Sequence, residues 1–120
     1  MADVKLDGCD FRKSRLKNST LEGVLMRYAN FSDGVWEKDS FLNCSFREAF
    51  LTNLRIAKVE LQNVDLSGAD LFQTMLGKID LSSCNIEGIR VSESVRELKE
   101  ATIDAAQAVV LAKLLGVHVK

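Results

Sequence analysis

Large apolar residues recur at every fifth position along most of the chain. Counting from Leu6 in steps of five, all eighteen positions as far as Val91 are large and apolar. A strand repeats its faces every two residues and an α-helix about every 3.6, so neither regular element explains a period of five. With 47% apolar residues overall, chance would produce such a run about one time in a million. The repeat is therefore the main guide to the fold.

Two further positions of each five-residue unit are restricted. Two residues before each centre, ten of the eighteen are Ala, Cys, Ser, Thr or Gly. Two residues after the centre, the unit often has a residue that accepts a positive φ angle and makes a tight turn easily: Gly8, Asn18, Gly23, Asn43, Asn53, Asn63, Gly68 and Gly88. Each unit is thus expected to point one large and one small side chain inward and three side chains outward.

A short extended piece followed by a turn in every unit would wind the backbone into a square tube. Successive coils of such a tube would hydrogen-bond at the inter-strand spacing of about 4.8 Å. The large residues would fill its interior, and the predicted core includes Leu16, Trp36, Phe41, Phe46, Leu51, Leu61, Leu66, Leu71 and Leu81.

The segment "ADLFQ", residues 69–73, matches the A(D/N)LXX consensus, and by this motif the chain resembles the pentapeptide-repeat family. The resemblance covers 4–93 without interruption. It implies an all-β solenoid, a right-handed quadrilateral β-helix with four repeats in each coil. After Val91 the register breaks at "SESV" and resumes after a slip of two residues, with Leu98 and Ile103 again five apart. We therefore predict a β-helix domain over 4–103 with about five coils.

The last segment, 104–120, has a different pattern. "DAAQAVVLAKLLG" begins with a capping pair, Asp104 and Gln107, and ends at Gly116, which predicts a short α-helix. This helix is apolar nearly all round, so it should cover the open end of the tube and meet something else as well. The resemblance implies a symmetric homodimer formed through Ala105, Val109, Val110, Leu111, Leu114 and Leu115. A cap without a dimer is the alternative.

With twenty residues in a coil, units twenty apart share a face. The Trp36 face, with units centred on Leu16, Trp36, Ile56 and Leu76, carries six basic side chains outward, among them a predicted ladder of Lys38, Lys58 and Lys78. The Phe41 face, centred on Leu21, Phe41, Leu61 and Leu81, carries Glu22, Glu60 and Asp80 and no basic residue. Phe50 and Phe72 point outward on a third face, and we expect them to touch. Together with the three lysines they form a candidate partner surface; an ordinary solvated surface is the alternative.

Asp39 occupies an inward, small-residue position, where an unpaired charge is costly. The sequence favours a local bulge that returns its side chain to solvent. A buried, hydrogen-bonded carboxylate is the second interpretation, and a functional site is the third.

Features of catalysis, cofactor binding and secretion are scarce in this sequence. It has one histidine, no glycine-rich phosphate loop, no CxxC pair and no metal-type spacing, so we predict neither an enzyme nor a cofactor. The N-terminus lacks the layout of a signal peptide, no apolar stretch approaches membrane-spanning length, and the three cysteines are odd in number. These observations predict a cytoplasmic protein with no membrane segment.

Two functional hypotheses follow. The first is a non-enzymatic scaffold, in which a rigid rod presents charged and apolar surface to a protein partner. The second comes from the resemblance, because some pentapeptide-repeat proteins are DNA mimics that bind DNA gyrase or topoisomerase IV and confer quinolone resistance. Those rods are strongly acidic, whereas residues 4–93 contain 13 acidic and 12 basic residues. The net charge of −1 also argues against direct nucleic-acid binding, although the basic face could attract an anionic polymer weakly.

Overall fold

The structure, a computed structural model, describes residues 4–120. Eight short β-strands occupy the first half of the chain, and a 3₁₀ turn and one α-helix follow near its end. The strands are β1 (Val4–Lys5), β2 (Arg15–Lys17), β3 (Thr20–Glu22), β4 (Val24–Leu25), β5 (Val35–Glu37), β6 (Ser40–Leu42), β7 (Arg55–Ala57) and β8 (Glu60–Gln62); the 3₁₀ turn is Arg96–Leu98 and the helix α1 is Ala105–Leu114.

All strand pairs are parallel and join residues twenty apart. The pairs form three small sheets, with orders β1-β4, β2-β5-β7 and β3-β6-β8. Leu16 lies beside Trp36, which lies beside Ile56, and the Phe41 face is built in the same way. A constant offset of twenty means that four five-residue units complete one coil and that the coils stack. The chain is therefore a β-helix solenoid, 41 Å along its longest axis.

The turn prediction is confirmed and extends beyond the glycines and asparagines. Every residue two positions after a unit centre has a positive φ between positions 8 and 78, and Gly88 does as well. Lysine, tyrosine, aspartate, glutamate and glutamine adopt this left-handed conformation at eight of these positions: Lys13, Tyr28, Asp33, Lys38, Glu48, Lys58, Gln73 and Lys78. The coil geometry thus imposes the conformation even on residue types that rarely adopt it.

The interior contains the large side chains at the unit centres. Trp36, Phe41, Phe46, Leu51, Leu61, Leu66, Leu71 and Leu81 are buried, and Leu16, in the first coil, is half-buried. Aromatic rings fill the N-terminal part, where Trp36 packs against Phe31, Phe41 and Phe46 with ring centroids 4.7 to 5.5 Å apart. Aliphatic side chains fill the tube after Phe46.

The predicted slip of two residues is confirmed by the backbone hydrogen bonds. The Leu81 N–H donates to Thr102 O, and the Thr102 N–H donates to Ile79 O, an offset of about 22 residues instead of twenty. Buried Glu97 holds the inserted segment: its carboxylate accepts hydrogen bonds from the Gln73 N–H at 2.9 Å and from the Ser92 hydroxyl at 2.8 Å. The extra residues are therefore accommodated in a side chain–backbone network.

Helix α1 closes the C-terminal end of the tube. Its predicted capping box is present, because Asp104 Oδ1 accepts from the Gln107 N–H and Gln107 Oε1 accepts from the Asp104 N–H. The Gln107 side chain also donates to Leu81 O at 2.6 Å and to Cys84 O at 2.7 Å. One side chain thus caps both the helix and two carbonyl groups of the last coils.

The expected bulge at Asp39 is wrong. Its side chain is 1% exposed, and the backbone stays in register, with the Ser40 N–H donating to Ser19 O and the Glu60 N–H donating to Asp39 O. Asp39 Oδ1 accepts a hydrogen bond from the Ser19 N–H at 2.9 Å, whereas Oδ2 has no partner among residues 4–120. The second interpretation, a buried hydrogen-bonded carboxylate, describes the structure.

On two of the four faces a seam separates the 44–63 coil from the 64–83 coil, whereas backbone hydrogen bonds join the same coils on the other two faces. On the Trp36 and Phe41 faces the later coil makes closed turns, in which the Ile79 N–H donates to Leu76 O and the Cys84 N–H donates to Leu81 O. In residues 4–63 these two faces carry strands instead. Across this change no backbone hydrogen bond joins 54–63 to 74–83. Side chains bridge the gap instead: Thr74 Oγ1 accepts from the Leu54 N–H, Ser83 Oγ accepts from the Asn63 N–H, and the Cys84 thiol donates to Leu61 O.

Candidate protein-binding surface

The Trp36 face presents a basic surface whose cations are not paired. Its basic side chains are all exposed, and none lies within 4.0 Å of a carboxylate oxygen in the described part of the chain: Arg15, Lys17, Lys38, Arg55, Lys58 and Lys78. Three arginines on other faces, Arg12, Arg27 and Arg90, do lie within 4.0 Å of a carboxylate oxygen, and the hydrogen bonds from Arg12 lower the pKa of Asp10 to about 2. A ladder of like charges one coil apart is unfavourable unless something neutralises it.

The neighbouring Phe41 face is acidic, as its sequence indicates. Glu22, Glu60 and Asp80 are exposed on it. A shallow groove of about 280 Å³ crosses the corner between the two faces and is lined by Glu60, Lys78 and Asp80 among others. The two signs of charge therefore meet along one edge of the rod.

Exposed aromatic and sulfur-containing side chains lie next to the basic face. Phe50 is 42% exposed, Phe72 is 45% exposed and Met75 is 46% exposed. The expected contact between Phe50 and Phe72 is not among the aromatic ring pairs of residues 4–120, which all join interior rings. Tyr28, 58% exposed at a left-handed turn position, is an outward aromatic residue that the sequence analysis missed.

Helix α1 leaves much of its apolar surface uncovered. Val110, Leu111 and Leu114 pack against the core and are only partly buried. Val109 is 39% exposed and Leu115 is 54% exposed, and Ala105 is exposed as well. A groove of about 510 Å³ runs between the helix and the ends of the coils, where it is lined by Gln107, Val110, Cys84 and polar residues of the last units.

The buried polar and thiol groups of residues 4–120 have structural surroundings that stabilise the fold. Burial raises the pKa of Glu97, but the hydrogen bonds from Gln73 and Ser92 outweigh that effect, and the net pKa lies below its usual value. Burial raises the pKa of the Cys44 and Cys84 thiols, which disfavours the reactive thiolate. No group of three His, Cys, Asp or Glu residues suited to a metal ion occurs in residues 4–120.

The coil geometry and the five-residue repeat agree with a comparison with known protein families. The family model described as "Pentapeptide repeats" matches eight copies, over residues 4–34, 40–73 and 51–88. The chain belongs to the pentapeptide-repeat family. None of the curated protein sequences matches it significantly.

The solved structure of another pentapeptide-repeat protein shares this fold. Rfr23 from the cyanobacterium Cyanothece 51142 superposes with a TM-score of 0.55 at 22% identity, over 83% of this chain and 60% of Rfr23. The chain thus spans about three fifths of the length of that relative. QnrB1, a plasmid-mediated fluoroquinolone resistance protein, is similar with a TM-score of 0.43 at 16% identity, over 97% of this chain and 90% of QnrB1. A pentapeptide-repeat protein of the Arabidopsis thaliana thylakoid lumen gives 0.41 at 20% identity, over 92% of this chain and 75% of that protein.

None of the helices in the described residues is long and apolar enough to pass through a lipid bilayer.

Proposed function

We propose that this pentapeptide-repeat protein is a non-enzymatic scaffold: a right-handed quadrilateral rod of about five coils that binds a protein partner through its outer surface in the cytoplasm. The observation that carries the proposal is the contrast between the interior of the β-helix and its outer surface. The interior is closely packed, and its polar side chains bond to the backbone. The outer wall presents unpaired cations beside exposed Phe72 and Met75. A surface with these features is typical of a binding site rather than of a catalytic pocket.

Site-specific cross-linking tests the scaffold function. A photo-reactive phenylalanine analogue at Phe72 should capture a discrete partner when the full chain is expressed in cells. The same analogue at Tyr28, which is exposed on a different part of the rod, is the matched control. Identical captured bands at both positions, or none at either, would contradict a partner surface at Phe72.

We further propose that two copies associate through helix α1, using Ala105, Val109, Val110, Leu111, Leu114 and Leu115. The proposal is supported by the apolar side chains of this helix that are exposed or half-exposed in a single chain. Val109→Asp should convert a dimer into a monomer in sedimentation equilibrium, while Lys113→Ala, at an exposed polar position of the same helix, should not. A monomeric wild-type protein would leave the helix as a cap only.

Inhibition or protection of DNA gyrase or topoisomerase IV is the second candidate function. The acidic Phe41 face, with Glu22, Glu60 and Asp80 exposed and no basic residue of its own, is the observation that favours it. A gyrase supercoiling assay, with and without a fluoroquinolone, tests it directly. Triple replacement of these carboxylates by Gln or Asn should abolish any effect, and activity that survives the replacement would exclude this face as the mimic of DNA.

A further inference from the structure

The seam leaves backbone donors of the basic face without acceptors. Asn18 and Lys38, at the same turn position in the two earlier coils, donate their N–H groups to Glu37 O at 3.0 Å and to Ala57 O at 2.9 Å. The N–H of Lys58 is the next in this series. It has no backbone acceptor among residues 4–120, and neither does the N–H of Ile56.

These two N–H groups lie on the face that carries the ladder of Lys38, Lys58 and Lys78. By analogy with Lys38, the Lys58 N–H is directed from the 44–63 coil toward the 64–83 coil, which carries Lys78 at the equivalent position. Successive coils lie about 4.8 Å apart, so the ammonium groups of Lys58 and Lys78 can both reach a group held at the seam. Backbone donors flanked by lysines form an anion-binding arrangement.

Apolar surface adjoins these donors. Ile56 is only half-buried, although its neighbours on the same face, Trp36 and Leu76, are 2% and 1% exposed. A groove of about 260 Å³ beside it is lined by Arg55, Ile56 and Met75 and by Asn53, Leu54 and Gln73. The seam therefore combines cations, amide donors without a backbone acceptor and a small groove lined by both polar and apolar side chains.

We propose that this seam is the binding site for an acidic, extended segment of the protein partner. A carboxylate of that segment accepts hydrogen bonds from the N–H groups at the seam and is neutralised by Lys58 and Lys78, while an adjacent apolar side chain occupies the groove at Met75. The inference rests on the proposed scaffold function and names the chemistry of its partner.

The charge pattern favours an acidic peptide over a nucleic acid. The Trp36 face carries no exposed aromatic side chain on which a base could stack, and the adjoining Phe41 face would repel a polyanion that spreads beyond the seam. A single extended segment stays on one face and avoids those carboxylates.

The probe is a synthetic peptide of alternating glutamate and leucine, added to the isotopically labelled full-length protein. In NMR spectra the backbone amides of Ile56 and Lys58 should shift on titration. The amide of Lys38, already bonded to Ala57 O, should shift much less. A peptide of alternating glutamine and leucine should bind at least about tenfold more weakly if the carboxylates contribute 1.4 kcal/mol or more.

A matched pair of double variants separates the site from general attraction. Lys58→Gln with Lys78→Gln should weaken binding of the acidic peptide by about tenfold, a change of 1.4 kcal/mol. Lys5→Gln with Lys13→Gln removes the same charge from exposed positions on other faces and should leave binding nearly unchanged.

Four outcomes overturn the inference: no binding of the acidic peptide, equal losses in the two double variants, amide shifts centred away from the seam, or tighter binding of a DNA duplex of equal charge. The spectra of the wild-type protein decide the question even if a variant misfolds. If the acidic peptide does not bind at the seam but cross-linking at Phe72 captures a partner, the scaffold function is retained and only this site is excluded.

Discussion

The two halves of the rod are built from the same repeat but stabilised differently. Residues 4–63 contain all eight strands, and their interior is an aromatic cluster of Phe11, Phe31, Trp36, Phe41 and Phe46. Residues 64–103 contain isolated parallel bridges instead of strands, and aliphatic side chains fill their interior. The polar side chains of Thr74, Glu97 and Gln107 supply backbone hydrogen bonds there.

The comparison shows that a five-residue repeat specifies the side-chain pattern more strictly than the backbone pairing. In the first half backbone hydrogen bonds join each coil to the next, and the Asp39 side chain adds one acceptor for the Ser19 N–H. In the second half the turns on two faces close on themselves, and side chains satisfy part of the backbone. The first half should therefore respond most to loss of core volume, and the second half to loss of single polar groups.

The largest expected effect is in the aromatic half. Trp36→Ala removes a buried ring that contacts three others and should cost about 3–5 kcal/mol of unfolding free energy. Leu76→Ala, two coils further on the same face, is the matched variant and should cost less within the range of about 2–5 kcal/mol. Urea denaturation followed by circular dichroism measures both. A greater loss of unfolding free energy from Leu76→Ala than from Trp36→Ala would contradict the larger stabilising contribution of the aromatic cluster.

The second effect is at the buried carboxylate of the other half. Glu97→Ala leaves the N–H groups of Gln73 and Ser92 without their acceptor, which should cost about 2–4 kcal/mol. Glu93→Ala, at an exposed position of the same segment, should change stability by less than about 0.5 kcal/mol. Equal effects in the same denaturation experiment would show that the carboxylate does not hold the inserted segment.

The same group predicts a pH dependence with a definite sign. Because the folded-state pKa of Glu97 lies below its usual value, its ionised form stabilises the fold fully above about pH 4.3. That contribution declines as the pH falls toward the folded-state pKa. Glu97→Gln should therefore flatten the decline of stability in acid relative to the wild type. Parallel pH profiles of the two proteins would show that Glu97 has no such role.

A smaller effect is expected where two coils approach closely. A Cβ atom on Gly34 would lie 2.7 Å from Ser14 O and 3.2 Å from Phe31 O, so Gly34→Ala should cost about 1–3 kcal/mol. Gly8→Ala meets no atom within 4 Å and is opposed only by its φ of +70°, so it should cost about 1 kcal/mol. Thermal unfolding compares the two variants, and an equal or larger loss at Gly8 would remove the steric argument.

The smallest effect is a gain, and the second half of the rod supplies its template. Thr74 occupies the same inward position as Asp39; its hydroxyl accepts from the Leu54 N–H and donates to Leu51 O. Asp39→Thr should keep an acceptor for the Ser19 N–H, remove the unpartnered oxygen and raise stability by about 1 kcal/mol. Asp39→Val, which removes that acceptor, should be less stable than Asp39→Thr. The reverse order would contradict the analogy with Thr74.

Much of the fold could be predicted because its signals are local. The slip after Val91 appears as a change in spacing, and the capping box of α1 involves residues only three apart. The burial of Asp39 could not be predicted in this way. Its stability depends on the Ser19 N–H twenty residues earlier, which needs an acceptor only once the two coils are stacked.

The same limit applies to the candidate surface. The repeat alone places Lys38, Lys58 and Lys78 on one face, and the structure keeps them there. The repeat does not indicate, however, that the Lys58 N–H lacks a backbone acceptor while the Lys38 N–H has one.

The amino-acid pattern alone is enough to predict the core: a spacing of five, with a residue in the left-handed conformation in most units, turns the large unit centres toward one axis. The pairing of the backbone groups, in contrast, is set only when the coils stack. A hydrogen bond between coils depends on the turn geometry of two segments twenty residues apart, and no local pattern encodes that match.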